Sequence, residues 1–359
     1  MAIVEHSELQ PLGDVIEPRW WTGTPSVDPA SFTIDCADYD MGPADLQADS
    51  GLAVRMRETF DRVGLVHLVN TGFTELVDMR AAAKLVIDAE MTYDGGANPR
   101  DNIEPNVYEV GAPLSAWLHY HHEMAYVGRS TRVISFLVKD ALPVPTDGSP
   151  SRGATFVSDS IAATDALLAT ELGQKLKELG VCYHRNLTDR DAFVGKVEYG
   201  VYNHWQKSFG TEDPVVAAGR ARDQRLAVDW GDDRLLKTRY YCSAFEYFPR
   251  LDRNVLYSSL ADHGMWFDTW PLVQHLPYEE RPLHMTFGDD SEFTDAERRQ
   301  WLDLYGMHGT PINWRTGDVA VIDNYRYAHG RPGIALGPGE QRVLGVVLGD
   351  QYERVGVRA

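Results

Sequence analysis

The chain has 359 residues, 43% of them hydrophobic, and a formal net charge of −19. That is ample apolar material for a large core. The acidic balance excludes general affinity for nucleic acid or for an anionic membrane surface, both of which need clustered Lys and Arg. Three scattered cysteines, Cys36, Cys182 and Cys242, make no disulfide framework and no Cys-x-x-Cys motif. The start, Met1-Ala2-Ile3-Val4-Glu5-His6, has no basic or apolar leader segment. No apolar run approaches the roughly 18 residues that span a bilayer. A cytoplasmic enzyme is the expectation.

Residues 1–50, rich in Pro and Asp and holding Trp20-Trp21, read as an irregular wrap over the core. Leu52 to Val63 has helical apolar spacing, Gly64 ends it, and Leu65 to Val69 reads as a strand. A second helix is predicted from Thr74 to Ala89, and a strand from Arg132 to Val138. Ile161 to Leu179 reads as one helix with the stripe Ala162, Ala166, Ala169, Leu172, Leu176 and Leu179. Ser158 or Asp159 caps it, Asp165 falls off the stripe, and Gly180 ends it. The polar and aromatic stretch 195–238, with a charged helical part from Asp213 to Arg225, reads as an insert or lid within the core. Strand character resumes from Tyr240 to Phe248, a short helix covers Asp295 to Leu304, and strands close the chain at Val319–Ile322 and Val343–Leu348. The pattern suggests an α+β jelly roll with flanking helices, one domain over 1–359.

Residues i and i+2 of a strand face one side. His121 and Glu123 can therefore meet one metal, with His122 turned away and His119 one pair further back. Far downstream, His329 follows the apolar strand Val319-Ala320-Val321-Ile322 and then Asp323-Asn324, and Arg342 comes 13 residues later. Two imidazoles and one carboxylate on one face of a metal leave three positions open, as in non-haem Fe(II) oxygenases; the same ligands also suit a catalytic zinc. Arg342 favours iron with 2-oxoglutarate, because a guanidinium pairs a distal carboxylate in bidentate fashion. His204, beside Trp205-Gln206, is a candidate for the pocket rim, and Arg239 for reaching the site. Arg331 is expected to form a salt bridge behind His329. His67, His184, His263, His275, His284 and His308 have no partner at ligand spacing.

These residues resemble the taurine dioxygenase (TauD/TfdA) family, most closely its syringomycin-type amino-acid hydroxylase branch. The matching stretches are Tyr93 to Arg100, Val107-Tyr108, Tyr120-His121-His122-Glu123-Met124-Ala125-Tyr126, Gly153-Ala154-Thr155, Trp205-Gln206, Phe209 with Thr211-Glu212-Asp213, and Asp323-Asn324 through His329-Gly330-Arg331. They keep the family order and span about residues 60 to 350. The resemblance implies a cupin-like double-stranded β-helix that binds Fe(II) through His121, Glu123 and His329. It also implies 2-oxoglutarate held by Arg342 and Thr155. Four departures stand out. Gly153-Ala154 stands where a glycine pair commonly precedes the Thr. His122 replaces a small polar residue and is a candidate for substrate contact, as are His204, Trp205 and Arg239. Leu256-Tyr257-Ser258-Ser259 replaces an Asn-Gln pair of the related branch. The loop between His329 and Arg342 is long.

The expected activity is oxidation of an unactivated C–H bond, by hydroxylation or by desaturation or cyclisation, while O2 and 2-oxoglutarate become succinate and CO2. Glu123 argues against halogenation, since the related halogenases lack this carboxylate. The expected substrate is a small polar or amino-acid-like molecule, free or tethered to a carrier protein, in specialised metabolism such as antibiotic biosynthesis. No nucleic acid or membrane partner is expected; a homo-oligomer is compatible with the sequence. The rival readings are a His2Glu zinc hydrolase and a non-catalytic ligand-binding jelly roll.

Overall fold

The computed structural model describes residues 11–93, 102–104, 106–109, 114–193, 202–259, 265–270 and 272–357. His263, and the resemblance-bearing residues Asp94 to Arg100, lie outside them. The N-terminal wrap is not wholly irregular: it contributes β1 (Thr33–Asp35), which pairs in parallel with β2 (Leu65–Val69). Between them runs α1 (Gly51–Val63), capped by the Ser50 side chain and stopped by Gly64 at φ 81. That left-handed angle suits glycine, so the helix yields at once to the strand. The next helix, α2 (Leu76–Ala83), ends earlier than the predicted Ala89. The amides of Asp88 and Ala89 go to the Asp350 carboxylate instead of continuing the helix.

Strands β3 (Asn102–Glu104), β4 (Val107–Glu109), β5 (Leu118–His121), β6 (Arg129–Asp140) and β7 (Thr155–Asp159) follow. The single helix predicted over Ile161–Leu179 is two, α3 (Ser160–Leu168) and α4 (Glu171–Leu179). Asp159 caps the first. Thr170 breaks the pair by donating its hydroxyl to Leu167 O at 2.8 Å and accepting the Gly173 amide at 3.1 Å. The corner rotates the first half, so α3 buries Ala163, Thr164 and Leu167 rather than the Ala162–Ala166–Ala169 stripe.

The remaining elements are β8 (Val181–Leu187), α5 (Trp205–Phe209), α6 (Pro214–Asp223), β9 (Ala227–Trp230), β10 (Leu236–Cys242), β11 (Phe245–Phe248), β12 (Arg253–Leu256), β13 (Leu283–Phe287), α7 (Asp295–Met307), β14 (Gly309–Ile312), β15 (Val319–Asp323), β16 (Tyr327–Arg331) and β17 (Val343–Glu353). The strand predicted over Tyr240–Phe248 is interrupted after Cys242, where the Phe245 amide turns to Ser243 Oγ. A Thr294/Glu297 capping box starts α7. Among the described residues no helix is long and apolar enough to cross a membrane.

Two sheets place the site. The larger has seven strands in the order β1-β2-β15-β6-β17-β4-β3, and the smaller has four, β14-β7-β16-β5. Strand alternation gives the large sheet two buried faces. Val319 and Val321 of β15, Val133 and Leu137 of β6 and Val347 of β17 pack under α1 and α2. Their neighbours Ala320, Ile322, Ile134, Phe136, Val138, Leu344 and Val346 face the other way, into the core shared with Val157 of the small sheet. The slot between these two sheets holds the cavity described below.

A second four-stranded sheet, β13-β8-β10-β9, takes β9 and the start of β10 from the predicted insert, which also holds α5 and α6. Residues 195–201 of that insert lie outside the described set. In its described part α6 packs on β9, and β10 pairs with β8. Near the C-terminus the buried Arg354 pairs with the buried Glu246 at 2.9 Å and donates to the carbonyl of Ala125.

Candidate active site

His121 is the last residue of β5, and His329 is its direct cross-strand partner on β16. Opposed side chains of an antiparallel pair share a face, and the two imidazole centroids lie 4.3 Å apart. Glu123 follows β5 in a sharp turn whose next residue, Met124, has φ 56. All three side chains are buried, and each offers a ligand atom within 4.8 Å of the others. His329 Nε2 is 4.0 Å from Glu123 Oε2. A metal with bonds of about 2 Å draws its ligand atoms to roughly 3 Å from each other, so a small inward movement of these side chains suffices. His121 Nδ1–H donates to the His119 carbonyl at 2.8 Å, which leaves the Nε2 lone pair for a metal. The donor set therefore fits a divalent cation with oxygen and nitrogen preference.

The Glu123 turn is held by a residue that the sequence reading noted only as context. Asn324, fully buried, accepts the Glu123 amide through Oδ1 at 2.8 Å and returns its Nδ2 to the Glu123 carbonyl at 3.0 Å. Tyr257 and Ser130 also donate to that carbonyl, each at 3.1 Å. Tyr257 lies in the stretch that departs from the family pattern. Its role here is to brace the turn, and no short-range sequence signal announces it.

The cavity is lined by His121, Glu123, Thr155, His329, Arg331 and Arg342 with apolar side chains including Phe136 and Leu344. Arg342 stands just before β17 and gives its Nε–H to Gly153 O at 3.1 Å. No partner among the described residues takes its two Nη groups. Burial lowers its pKa to about 10, still a cation at neutral pH. Thr155, the first residue of β7, accepts the indole N–H of Trp314 at 3.0 Å, and its own hydroxyl proton has no acceptor among the described residues. The Arg331 guanidinium donates to the carbonyls of Leu114, Ala116 and Pro332. Burial, then the nearby Arg342, lowers its pKa to about 9.

The four remaining candidates do not reach this cavity. His122 points to the opposite side, accepting the Ser258 amide at Nδ1 and sitting 2.8 Å from Ser160 Oγ at Nε2. Burial lowers its pKa to about 3, so it is neutral and structural. His204 bonds Thr188 Oγ1 and lines a separate surface hollow with Arg190 and Glu212. Trp205 is fully buried, edge-on to Trp230 beneath the second sheet. Arg239 is exposed on β10, opposite His184. His119 is buried and stacks on Trp20, and burial lowers its pKa to about 3.

One further group brings metal-binding atoms together: Cys182, His184 and Asp290. Its atoms are engaged in hydrogen bonds. The Tyr241 hydroxyl donates to the Asp290 carboxylate, and His184 Nε2 meets Thr286 Oγ1 at 3.0 Å. Burial pushes the Cys182 thiol up to about 12, which keeps it protonated.

With this geometry in place, residues 42–348 match the family described as taurine catabolism dioxygenase TauD, TfdA, and the chain belongs to that family. The protein is accordingly a dioxygenase that uses Fe(II), with 2-oxoglutarate and O2 as co-substrates. Among curated relatives, a clavaminate synthase-like protein of Arabidopsis thaliana is 26% identical over 246 residues, covering 67% of this chain and 69% of the relative. The dapdiamide synthesis protein DdaC of Enterobacter agglomerans is 22% identical over 264 residues, covering 72% and 73%. The solved structure of AAD-2 in complex with Mn(II) and N-oxalylglycine shares the fold, with a TM-score of 0.50 and 13% identity over 90% of this chain and 95% of that one.

Proposed function

We propose that His121, Glu123 and His329 hold the Fe(II), and that Arg342 and Thr155 hold the far carboxylate of 2-oxoglutarate. The observation that carries this reading is the convergence of three ligand atoms and two uncommitted donors, Arg342 Nη and Thr155 Oγ–H, in one buried cavity. Iron, when bound there, supplies the open positions at which 2-oxoglutarate and O2 react to oxidise a C–H bond. The chain's own part is positional. Arg342 and Thr155 fix one end of the co-substrate, the His119 carbonyl fixes the His121 tautomer, and Phe136 and Leu344 keep water from the reacting end.

The two facing sheets are read as the double-stranded β-helix, with 1–359 as one domain and the insert around 195–238 as a lid over the cavity mouth. The prime substrate is taken to be a small polar or amino-acid-like molecule, free or carrier-bound, hydroxylated at an unactivated carbon in a cytoplasmic tailoring step of specialised metabolism, such as antibiotic biosynthesis. Support comes from the relatives named for clavaminate synthase-like and dapdiamide synthesis proteins, and from the syringomycin-type resemblance. Glu123 in the cavity favours hydroxylation over halogenation.

The test is an anaerobic titration of the metal-free protein with Fe(II) and 2-oxoglutarate, following the weak visible charge-transfer band. Wild type should develop the band, and Arg342→Ala should weaken 2-oxoglutarate binding by on the order of 100-fold, the loss of a charge-assisted bidentate contact. Tight zinc binding with no band from iron and 2-oxoglutarate would move the site to hydrolysis.

A further inference from the structure

Thr155 presents a donor–acceptor count with one solution. A hydroxyl has one proton to give and lone pairs to receive. Trp314 Nε1–H, fully buried and 3.0 Å away, can only donate, so Thr155 Oγ1 is the acceptor in that bond. Its proton must then go elsewhere. No carbonyl or carboxylate among the described residues takes it, and the cavity that also receives the Arg342 guanidinium is the open direction.

Trp314 is itself held in place. It lies two residues beyond Ile312, which pairs with Thr155 in the β14–β7 ladder. Its ring packs 6.0 Å from Phe136, and the His67 ring meets it edge-on at 5.5 Å. His67 is anchored in turn by Asp318 at 2.9 Å. Asp318 also accepts the Arg315 amide, which fixes the turn just after Trp314. The indole therefore has little freedom to swing its N–H away from Thr155.

We propose that Trp314 is a positioning residue for 2-oxoglutarate: by occupying the acceptor side of Thr155 it turns the hydroxyl proton toward the carboxylate that Arg342 binds. This rests on the assignment of Thr155 and Arg342 to the co-substrate. Trp314 touches no reacting atom and acts only through Thr155. Its contribution is a preset donor, so the hydroxyl need not reorient when the anion arrives.

The experiment measures 2-oxoglutarate dissociation constants by calorimetry on the Mn(II)-loaded protein, where no turnover occurs. Thr155→Val and Trp314→Phe should each weaken binding roughly five- to tenfold, one hydrogen bond's worth. The double variant should be no weaker than Thr155→Val alone, and Thr155→Ser should bind as wild type. In the iron enzyme, KM for 2-oxoglutarate should rise in Trp314→Phe while kcat for uncoupled succinate formation stays put. Replacing Trp314 by its benzothienyl isostere removes only the N–H and serves if Trp314→Phe folds poorly. Wild-type affinity in the isostere beside a weak Thr155→Val overturns the inference and leaves the site assignment standing. So does full additivity in the double variant. Wild-type affinity in both Thr155→Val and Arg342→Ala overturns the assignment itself.

Discussion

Single side chains decide the geometry of the cavity floor, and Asn324 illustrates how. It grips both polar atoms of the Glu123 peptide and also donates to Thr131 O and the Tyr257 hydroxyl. Asn324→Asp keeps the acceptor for the Glu123 amide but removes the Nδ2 donor and sets a carboxylate oxygen against buried carbonyls. An unsatisfied buried polar group costs about 1–3 kcal/mol, and loss of a partner behind a metal site lowers metal affinity about 10- to 100-fold. A metal titration and a thermal melt on Asn324→Asp should show both losses; unchanged metal affinity in a folded variant would remove Asn324 from the site. The contrast with what sequence alone offers is instructive. His121 and Glu123 stand out because two-residue spacing is local, and His329 because it follows a strand. Asn324, Tyr257 and Trp314 act through hydrogen bonds to residues more than 60 positions away, and no periodicity encodes such partners.

Elements follow the same division between local and distant causes. The sequence shows α1, β2, β6, β15 and the start of α7, where apolar spacing and caps agree. It hides the α3–α4 corner, because the stripe over Ile161–Leu179 remains helical in period across the break. Gly173 is where the corner becomes obligatory. A Cβ there would lie 2.0 Å from Leu167 O and 2.5 Å from its carbon. Helix propensity alone predicts that Gly173→Ala stabilises by about 1 kcal/mol. The clash opposes it at about 1–3 kcal/mol, since backbone must move. Steric cost wins: the variant should unfold at lower denaturant concentration than wild type, and a raised midpoint would show that the corner is loose. Strand alternation turns His122 away from His121 and Glu123, and the structure agrees; its candidacy for substrate contact comes from the family pattern instead. Arg239 lies on β10, opposite His184 and away from the cavity, a placement that no local spacing encodes.

The whole molecule carries a titration that the active site does not control. On the outer side of the second sheet, burial, with help from His284 and Arg239, lowers the His184 pKa to about 4. Unfolded, the same imidazole titrates near 6.5. Between those values the unfolded chain binds more protons than the folded one, so stability rises with pH through that window and is lost as pH falls. The slope from one such group is at most about 1.4 kcal/mol per pH unit. His119 and His122, lowered to about 3, share this window, so His184→Gln should reduce the dependence of unfolding free energy on pH between 6.5 and about 4 without abolishing it; an unchanged slope would assign the acid sensitivity to other groups.

The contact of Arg354 with the Ala125 carbonyl carries a consequence for truncation. The peptide that bears Glu123 is braced from residues 257 and 324, and the turn two residues on also receives the Arg354 guanidinium at the Ala125 carbonyl. A chain ending near residue 350 keeps the three metal-binding side chains and the Asn324 brace but lacks this last contact, so in a metal titration it should bind more weakly than the full chain; equal affinity would show that the brace from residues 257 and 324 suffices.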